Sequence, residues 1–120
     1  MDNNTILKPW GYYVDIERSR ELVFKKIVVA PSCKLSLQYH NKRSEIWYIH
    51  SGYAKITIDG DIMKLTDGSS VNIPIGYRHR VENLSKDFDL IIYEVQLGIC
   101  EEDDIVRIED DYGRKTPEES

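Results

Sequence analysis

The sequence predicts an all-β fold, a double-sheet jelly roll with a barrel-like interior. Short runs rich in Val, Ile and Tyr recur at near-regular intervals and are separated by turn residues. No segment shows a sustained helical period, and no internal repeat is evident. A jelly roll accommodates many short strands and protects the edges of its sheets. The predicted strands are Tyr12–Asp15, Leu22–Val29, Lys34–His40, Glu45–His50, Ala54–Ile58, Asp61–Leu65, Ser70–Ile73, His79–Asn83 and Leu90–Gln96.

Turn residues separate these runs in chain order. Pro31 begins the bend before the third predicted strand, and Ser51-Gly52 follows the fourth. Asp59-Gly60, between two alternating runs, is the best hairpin signal, because a two-residue turn of this type needs positive φ. Asp67-Gly68 is another glycine turn, and Pro74 opens the bend that leads to the eighth strand.

Length and composition predict one domain over residues 1–120, with a core at about 8–114 and a polar, frayed tail at 115–120. The chain is 41% hydrophobic and 31% charged, as in soluble globular proteins. It has no apolar run of the ~20 residues needed to span a bilayer and no signal-peptide pattern. We therefore expect a cytoplasmic protein that binds no membrane.

The net charge and the cysteines argue against nucleic-acid binding and against cysteine-based zinc or redox sites. A net charge of −5 argues against a nucleic-acid partner. Much of it lies in two acidic stretches, Glu101–Asp104 and Glu109–Asp111, which are interpreted as solvated surface. Cys33 and Cys100 lack the CxxC spacing of zinc or redox motifs and are expected to be reduced.

Two strand–turn segments carry candidate metal ligands. Side chains alternate along a strand, so Lys34, Ser36, Gln38 and His40 are predicted to share one face. Glu45 leads the face of the next strand that also carries large apolar groups, and a carboxylate buried there needs a cation. The second segment adds a further histidine. The candidate metal ligands are Gln38, His40, Glu45 and His79.

The same residues resemble a known family, the cupin domain of type II phosphomannose isomerases. The resemblance covers roughly residues 8–114, and the order and joint presence of its motifs are highly specific. The motifs are Lys8-Pro9-Trp10-Gly11, Gln38-Tyr39-His40, Arg43-Ser44-Glu45-Ile46-Trp47, Ser51-Gly52, Ile73-Pro74-Ile75-Gly76, His79-Arg80, Glu94-Val95-Gln96, Glu102-Asp103-Asp104-Ile105-Val106-Arg107 and Asp111-Tyr112-Gly113-Arg114.

The resemblance implies a cupin barrel (a double-stranded β-helix) that interconverts mannose 6-phosphate and fructose 6-phosphate through an enediolate. A donor set of two nitrogens and two oxygens suits one divalent ion; zinc is expected, with cobalt, manganese, nickel and iron as alternatives. No separate organic cofactor is predicted. The expected partners are a small sugar phosphate and a second copy of the chain in a homodimer.

Further roles are assigned to residues near the motifs. Lys34, Arg43 and Arg80 are the candidates for phosphate binding and charge stabilisation. The base that moves the proton is Glu82, Glu94, Lys34 or a water on the metal, and Glu94 shares a strand face with Gln96.

The chain departs from the family pattern at Asn41, Lys42 and Ile46, where members often have histidines. These differences leave two other interpretations open. One is a non-catalytic metal- or sugar-binding cupin. The other is an enzyme of the same scaffold that acts differently, such as an isomerase or epimerase for another sugar phosphate, or a dioxygenase.

Overall fold

Eleven strands and no helix occur in the part of the chain that the structure, a computed structural model, describes, residues 5–112. The predicted all-β fold is therefore confirmed. The strands are β1 (Thr5–Lys8), β2 (Gly11–Arg18), β3 (Leu22–Val29), β4 (Leu37–Tyr39), β5 (Arg43–Ser51), β6 (Tyr53–Ile58), β7 (Asp61–Thr66), β8 (Ser70–Ile73), β9 (His79–Asn83), β10 (Leu90–Gly98) and β11 (Val106–Glu109).

The strands form two antiparallel sheets that enclose a common core. The larger sheet has the order β1-β2-β3-β10-β5-β8, and the smaller has the order β11-β4-β9-β6-β7. Strands from distant parts of the chain are thus neighbours in both sheets, as the jelly roll requires. The core residues are Trp10, Ile27, Val29, Leu35, Trp47, Ile49, Ala54, Ile56, Ile58, Ile73, Val81, Leu90 and Ile92.

Period-two alternation holds along the long central strands. In β5, Glu45 and Trp47 are buried while Ile46 and Tyr48, which lie between and beyond them, are exposed. The prediction that Glu45 shares the inner face with large apolar groups is confirmed. In β10 the same alternation buries Glu94 together with the other inward-facing residues of that strand.

The predicted strand Lys34–His40 is wrong in its first half. Lys34 makes only an isolated bridge to Glu82, and regular pairing begins at Leu37. Because the backbone is not a continuous strand there, strict alternation does not apply, and Leu35 is buried in the core. The Lys34 ammonium lies 3.2 Å from a carboxylate oxygen of Asp111.

Sequence reasoning missed the two terminal strands and misinterpreted one acidic stretch. β1 and β11 are four residues each, and both lie at the edges of their sheets. The interpretation of Glu101–Asp104 as solvated surface is wrong for Asp104, which is buried. The polar tail predicted at residues 115–120 lies outside the described residues. No helix of residues 5–112 is long and apolar enough to cross a membrane.

Gly11 is the position where backbone approach leaves no room for a side chain. Its φ is +148°, and an added Cβ would lie 2.0 Å from the carbonyl oxygen of Val28. Gly11→Ala is therefore expected to lower the free energy of unfolding by about 3 kcal/mol, from strain and overpacking together. Urea unfolding measures this loss.

Gly60 provides the matched control. Its φ is +89°, but an added Cβ would meet nothing within 4 Å. Gly60→Ala should therefore cost only the backbone term, about 1 kcal/mol. Equal losses in the two variants would contradict the clash at Gly11.

Candidate metal site

Three of the predicted metal ligands converge at one point between the sheets. His40 follows β4, Glu45 lies in β5 and His79 begins β9. The Nε2 atom of His40 is 3.3 Å from Glu45 Oε2, and the Nε2 atom of His79 is 3.4 Å from Glu45 Oε1. The donor atoms of the three residues all lie within 4.8 Å of one another, and all three side chains are buried. This group could hold a metal ion.

Both imidazoles are oriented as metal ligands need to be. The Nδ1 atom of His40 lies 2.7 Å from the carbonyl oxygen of Asp104, and that of His79 lies 2.9 Å from the carbonyl oxygen of Tyr77. A carbonyl only accepts, so each Nδ1 carries the proton and donates it. Nε2 of each ring faces Glu45, and Nε2 of His40 also lies 3.4 Å from an Nη of Arg43. Such a hydrogen bond from Nδ1, which fixes the ring and its tautomer, is usual for metal-bound histidine.

The charges of the three residues also suit a cation. Burial lowers the pKa of His40 to about 4, and the charge of Arg43 acts in the same direction, so this ring is neutral at pH 7. Burial alone would raise the pKa of Glu45, but the hydrogen bond with His79 and the neighbouring positive charges hold it well below its usual range. An ionised carboxylate beside a neutral imidazole matches a divalent ion such as zinc.

The pKa of His79 determines whether a proton occupies the nitrogen that a metal ion would bind. Burial lowers the pKa of this ring, but the hydrogen bond and charge of Glu45 outweigh burial and raise it. A metal ligand must be deprotonated, so a cation would compete with a proton at His79.

The fourth predicted ligand, Gln38, lies in the wall of the same cavity. It is half-buried in β4 and is paired across the sheet with His79. Its role as a ligand stays a prediction.

Arg43 lies in the site but supports Glu45. Its Nε donates to Glu45 Oε2 at 3.1 Å, and an Nη donates to the carbonyl oxygen of Glu101 at 3.0 Å. The guanidinium is only 7% exposed. This arginine is thus the counter-charge of a buried carboxylate, and its predicted role in phosphate binding and charge stabilisation stays a prediction.

Glu94 is the second buried carboxyl group of the cavity. Its Oε2 accepts a hydrogen bond from Trp47 Nε1 at 2.7 Å, and its Oε1 accepts one from Gln96 Nε2 at 2.6 Å. Burial, and then the negative charge of Glu45, raise the pKa of Glu94 to about 7. A carboxyl group that can hold or release a proton near neutral pH is suited to general acid–base chemistry.

Lys34 and Arg80, two of the candidates for phosphate binding and charge stabilisation, do not line this cavity, and their role stays a prediction. Arg80 Nε donates to the carbonyl oxygen of Leu35 at 2.9 Å, and its Nη1 lies 3.5 Å from a carboxylate oxygen of Glu109. The physical reason is alternation in β9, because His79 points inward and the next residue points away. Glu82, one of the alternative bases, is also outside the cavity wall.

The cavity has a volume of about 280 Å³, and both sheets contribute to its wall. Ser36 Oγ and Gln96 Oε1 are buried and have no hydrogen-bond partner among the described residues. Both residues line the cavity. Unsatisfied groups of this kind are costly unless a polar ligand or water meets them. The cavity wall also carries many polar and charged side chains, so the cavity suits a small polar molecule.

Sequence reasoning missed three cationic side chains in the cavity wall, those of Lys8, Lys25 and Arg107. The Lys25 ammonium is 3.9 Å from the centre of the Tyr13 ring and 3.6 Å from a carboxylate oxygen of Glu102. A signal for this lysine existed, because alternation in β3 places it on the face that carries the buried Val23, Ile27 and Val29.

Comparison of the fold with solved structures identifies cupins. The chain resembles oxalate decarboxylase from Bacillus subtilis with a TM-score of 0.77 and 21% identity, over 89% of this chain and 30% of that one. It resembles an RmlC-like cupin from Shewanella frigidimarina with a TM-score of 0.67 and 21% identity, over 77% of this chain and 78% of that one. At such identities the likeness concerns the fold alone, and it confirms the predicted cupin barrel.

Curated relatives are closer in sequence. The chain is 44% identical over 110 residues to a mannose-1-phosphate guanylyltransferase of Escherichia coli, with coverage of 91% of this chain and 23% of the relative. It is 44% identical over 115 residues to the alginate biosynthesis protein AlgA of Pseudomonas fluorescens, with coverage of 95% and 24%. The chain thus spans about a quarter of the length of these relatives.

The family model described as "Mannose-6-phosphate isomerase C-terminal" matches residues 2–110. The resemblance found in the motifs is thereby confirmed. This chain, a cupin barrel with a buried His–Glu–His group in its cavity, belongs to the mannose-6-phosphate isomerase C-terminal family.

Proposed function

We propose that this domain is a metal-dependent aldose–ketose isomerase that interconverts mannose 6-phosphate and fructose 6-phosphate. The observation that supports it best is the union of two features in one cavity: a His–Glu–His group that could hold a metal, and a buried carboxyl group with a pKa of about 7. The family to which the chain belongs is the second support.

Glu94 is the proposed base. In the open-chain aldose it takes the proton from C2 and returns it to C1 of the enediolate, while the hydroxyl proton moves from O2 to O1 by exchange. Trp47 and Gln96 each donate a hydrogen bond to one Glu94 oxygen, which fixes the plane of the carboxyl group. In the metal-free protein the pKa of Glu94 is raised to about 7, and burial, the largest cause, also acts when an ion is bound, so the group can take up and release a proton.

His40, Glu45 and His79 are the residues that would hold the ion, with Gln38 as the proposed fourth ligand, and zinc is the ion we expect. When bound, a divalent ion supplies Lewis acidity that stabilises negative charge on the C1 and C2 oxygens. Arg43 keeps Glu45 ionised and in place through its 3.1 Å hydrogen bond.

The remaining cavity residues match the rest of a sugar phosphate. Ser36 and Gln96 are the proposed partners of the sugar hydroxyl groups, since both are polar residues of the cavity wall. Lys8 and Arg107 are the proposed partners of the phosphate, since they bring positive charge to the same wall.

A coupled assay for fructose 6-phosphate formed from mannose 6-phosphate tests the proposal. We expect turnover with zinc-loaded protein, loss of turnover after chelation, and recovery when zinc or cobalt is added back. Glucose 6-phosphate serves as the stereochemical control and should react poorly. A protein with one metal ion per chain that turns over no hexose phosphate would instead be a binding cupin.

A further inference from the structure

We infer that Asp104 is a positioning residue of the metal site, and that it acts on His40 through both its side chain and its main chain. In the sequence this aspartate lies in an acidic run to which no role was assigned. In the structure it is buried, with only 9% of its surface exposed. The inference rests on the metal site of the proposed function but not on the isomerase reaction.

The carboxylate of Asp104 organises the turn that follows His40. Its Oδ1 accepts the backbone N–H of Asn41 at 2.9 Å, and its Oδ2 accepts that of Lys42 at 2.9 Å. Two successive peptide units are thus held by the two oxygens of one carboxylate. Charge-assisted bonds of this kind are stronger than bonds between neutral groups. They orient the backbone between His40 and Arg43.

The backbone of Asp104 acts on the imidazole itself. Its carbonyl oxygen lies 2.7 Å from His40 Nδ1 and accepts the proton of that nitrogen. The ring is thereby kept in the tautomer whose Nε2 can bind a cation. One residue therefore contacts His40, Asn41 and Lys42, and rotation of the His40 ring would break its hydrogen bond to the Asp104 carbonyl.

Asp104 is itself held on both sides. Its backbone N–H donates to the carbonyl oxygen of Glu101 at 3.1 Å, and the same oxygen accepts a hydrogen bond from Arg43 at 3.0 Å. Shortly after it, β11 pairs with β4, which ends one residue before His40. Hydrogen bonds and strand pairing thus connect the segment around Asp104 to both sides of His40.

Asp104→Asn is the test variant, since it preserves the shape and the main-chain carbonyl. One amide position would present an NH₂ group to a backbone N–H, so one hydrogen bond is lost and the turn loosens. Zinc affinity at pH 7.5, measured by competition with a chromogenic chelator, is expected to fall 10- to 100-fold. The absorption spectrum of the cobalt-loaded variant should also change, because the donor geometry changes.

Asp103→Asn is the matched control. It removes the same charge from the adjacent, exposed position, and it should leave zinc affinity and the cobalt spectrum as in the wild type. Urea unfolding of both variants establishes that they are folded. Wild-type affinity and spectrum in Asp104→Asn, or equal losses in both variants, would overturn the inference.

A measurement on the unaltered protein keeps the test decisive if Asp104→Asn does not fold. Long-range ¹⁵N–¹H spectra of the metal-free chain should show His40 as the Nδ1–H tautomer. A ring protonated only at Nε2 would refute the role of the Asp104 carbonyl. Absence of isomerase turnover in fully zinc-loaded wild type would defeat the proposed function, yet it would leave these binding and tautomer results intact.

Discussion

Glu45→Gln is expected to lower zinc affinity at least 100-fold and to remove the metal-dependent isomerase activity. Glu45 is the residue that both histidines face, with one oxygen 3.3 Å from His40 Nε2 and the other 3.4 Å from His79 Nε2. Glutamine cannot supply the negative charge. The loss should exceed the 10- to 100-fold effects that are typical of residues outside the ligand set.

Zinc content after dialysis and chelator competition measure the change in affinity, and the coupled assay measures the change in activity. The variant also leaves Arg43 buried without its counter-charge, which costs about 3–5 kcal/mol in comparable sites. Urea unfolding must therefore accompany the binding data. Glu17→Gln, at an exposed position of β2, makes the same chemical change and should alter neither property. Full zinc occupancy in folded Glu45→Gln would rule out the proposed site.

Glu94→Gln is expected to reduce kcat by 100- to 10,000-fold while zinc binding is retained. The amide cannot take a proton from C2, but it can still accept the Trp47 hydrogen bond at one position. The separation of the two effects distinguishes a base from a metal ligand. If kcat were unchanged, the base would be another group, and if zinc were lost, Glu94 would belong to the metal site.

The pKa of Glu94 predicts a pH-dependent difference in stability between the metal-free wild type and Glu94→Gln. Burial, followed by the charge of Glu45, raises this pKa from 4.5 to about 7 in the folded protein. Between those pH values the folded state keeps a proton that the unfolded chain has lost. The free energy of unfolding therefore falls as the pH rises through this range, by about 3 kcal/mol. Glu94→Gln has no ionisable group at this position and lacks this pH-dependent change in the free energy of unfolding.

His40 makes the free energy of unfolding change with pH in the opposite direction. The wild type and Glu94→Gln must therefore be compared with each other. Its pKa is lowered to about 4, so the unfolded chain binds this proton more readily and stability rises with pH over an overlapping range. Because both proteins contain His40, the difference between them isolates Glu94. Urea unfolding in chelator at pH 5 and pH 8 measures it. Parallel pH profiles would mean that Glu94 titrates normally.

The sequence predicted the site best where strands are regular. Glu45 in β5 and Glu94 in β10 lie on long strands, so a period of two predicted that Glu45 shares a face with large apolar groups and that Glu94 shares one with Gln96. Lys34, by contrast, does not lie in a continuous strand, because the backbone around it forms only an isolated bridge, and it does not line the cavity. The lysine that does line the cavity, Lys25, stands on an apolar strand face, which is a signal in the sequence itself.

Asp104 could not be found in this way. Its burial depends on backbone N–H groups of the turn at Asn41 and Lys42, more than sixty positions earlier in the chain. No local pattern reveals such a partner. A short edge strand such as β11 also gives a weak signal, because four residues within an acidic stretch have little periodicity to detect.

The placement of the donors has a consequence for heat resistance. His79 belongs to the five-stranded sheet and Glu45 to the six-stranded sheet. An ion bound by both residues would therefore link the two sheets of the barrel. At a free ion concentration one hundred times the Kd, such binding raises the free energy of unfolding by about 2.7 kcal/mol. The supply of metal would then set the melting temperature of this domain as well as its chemistry.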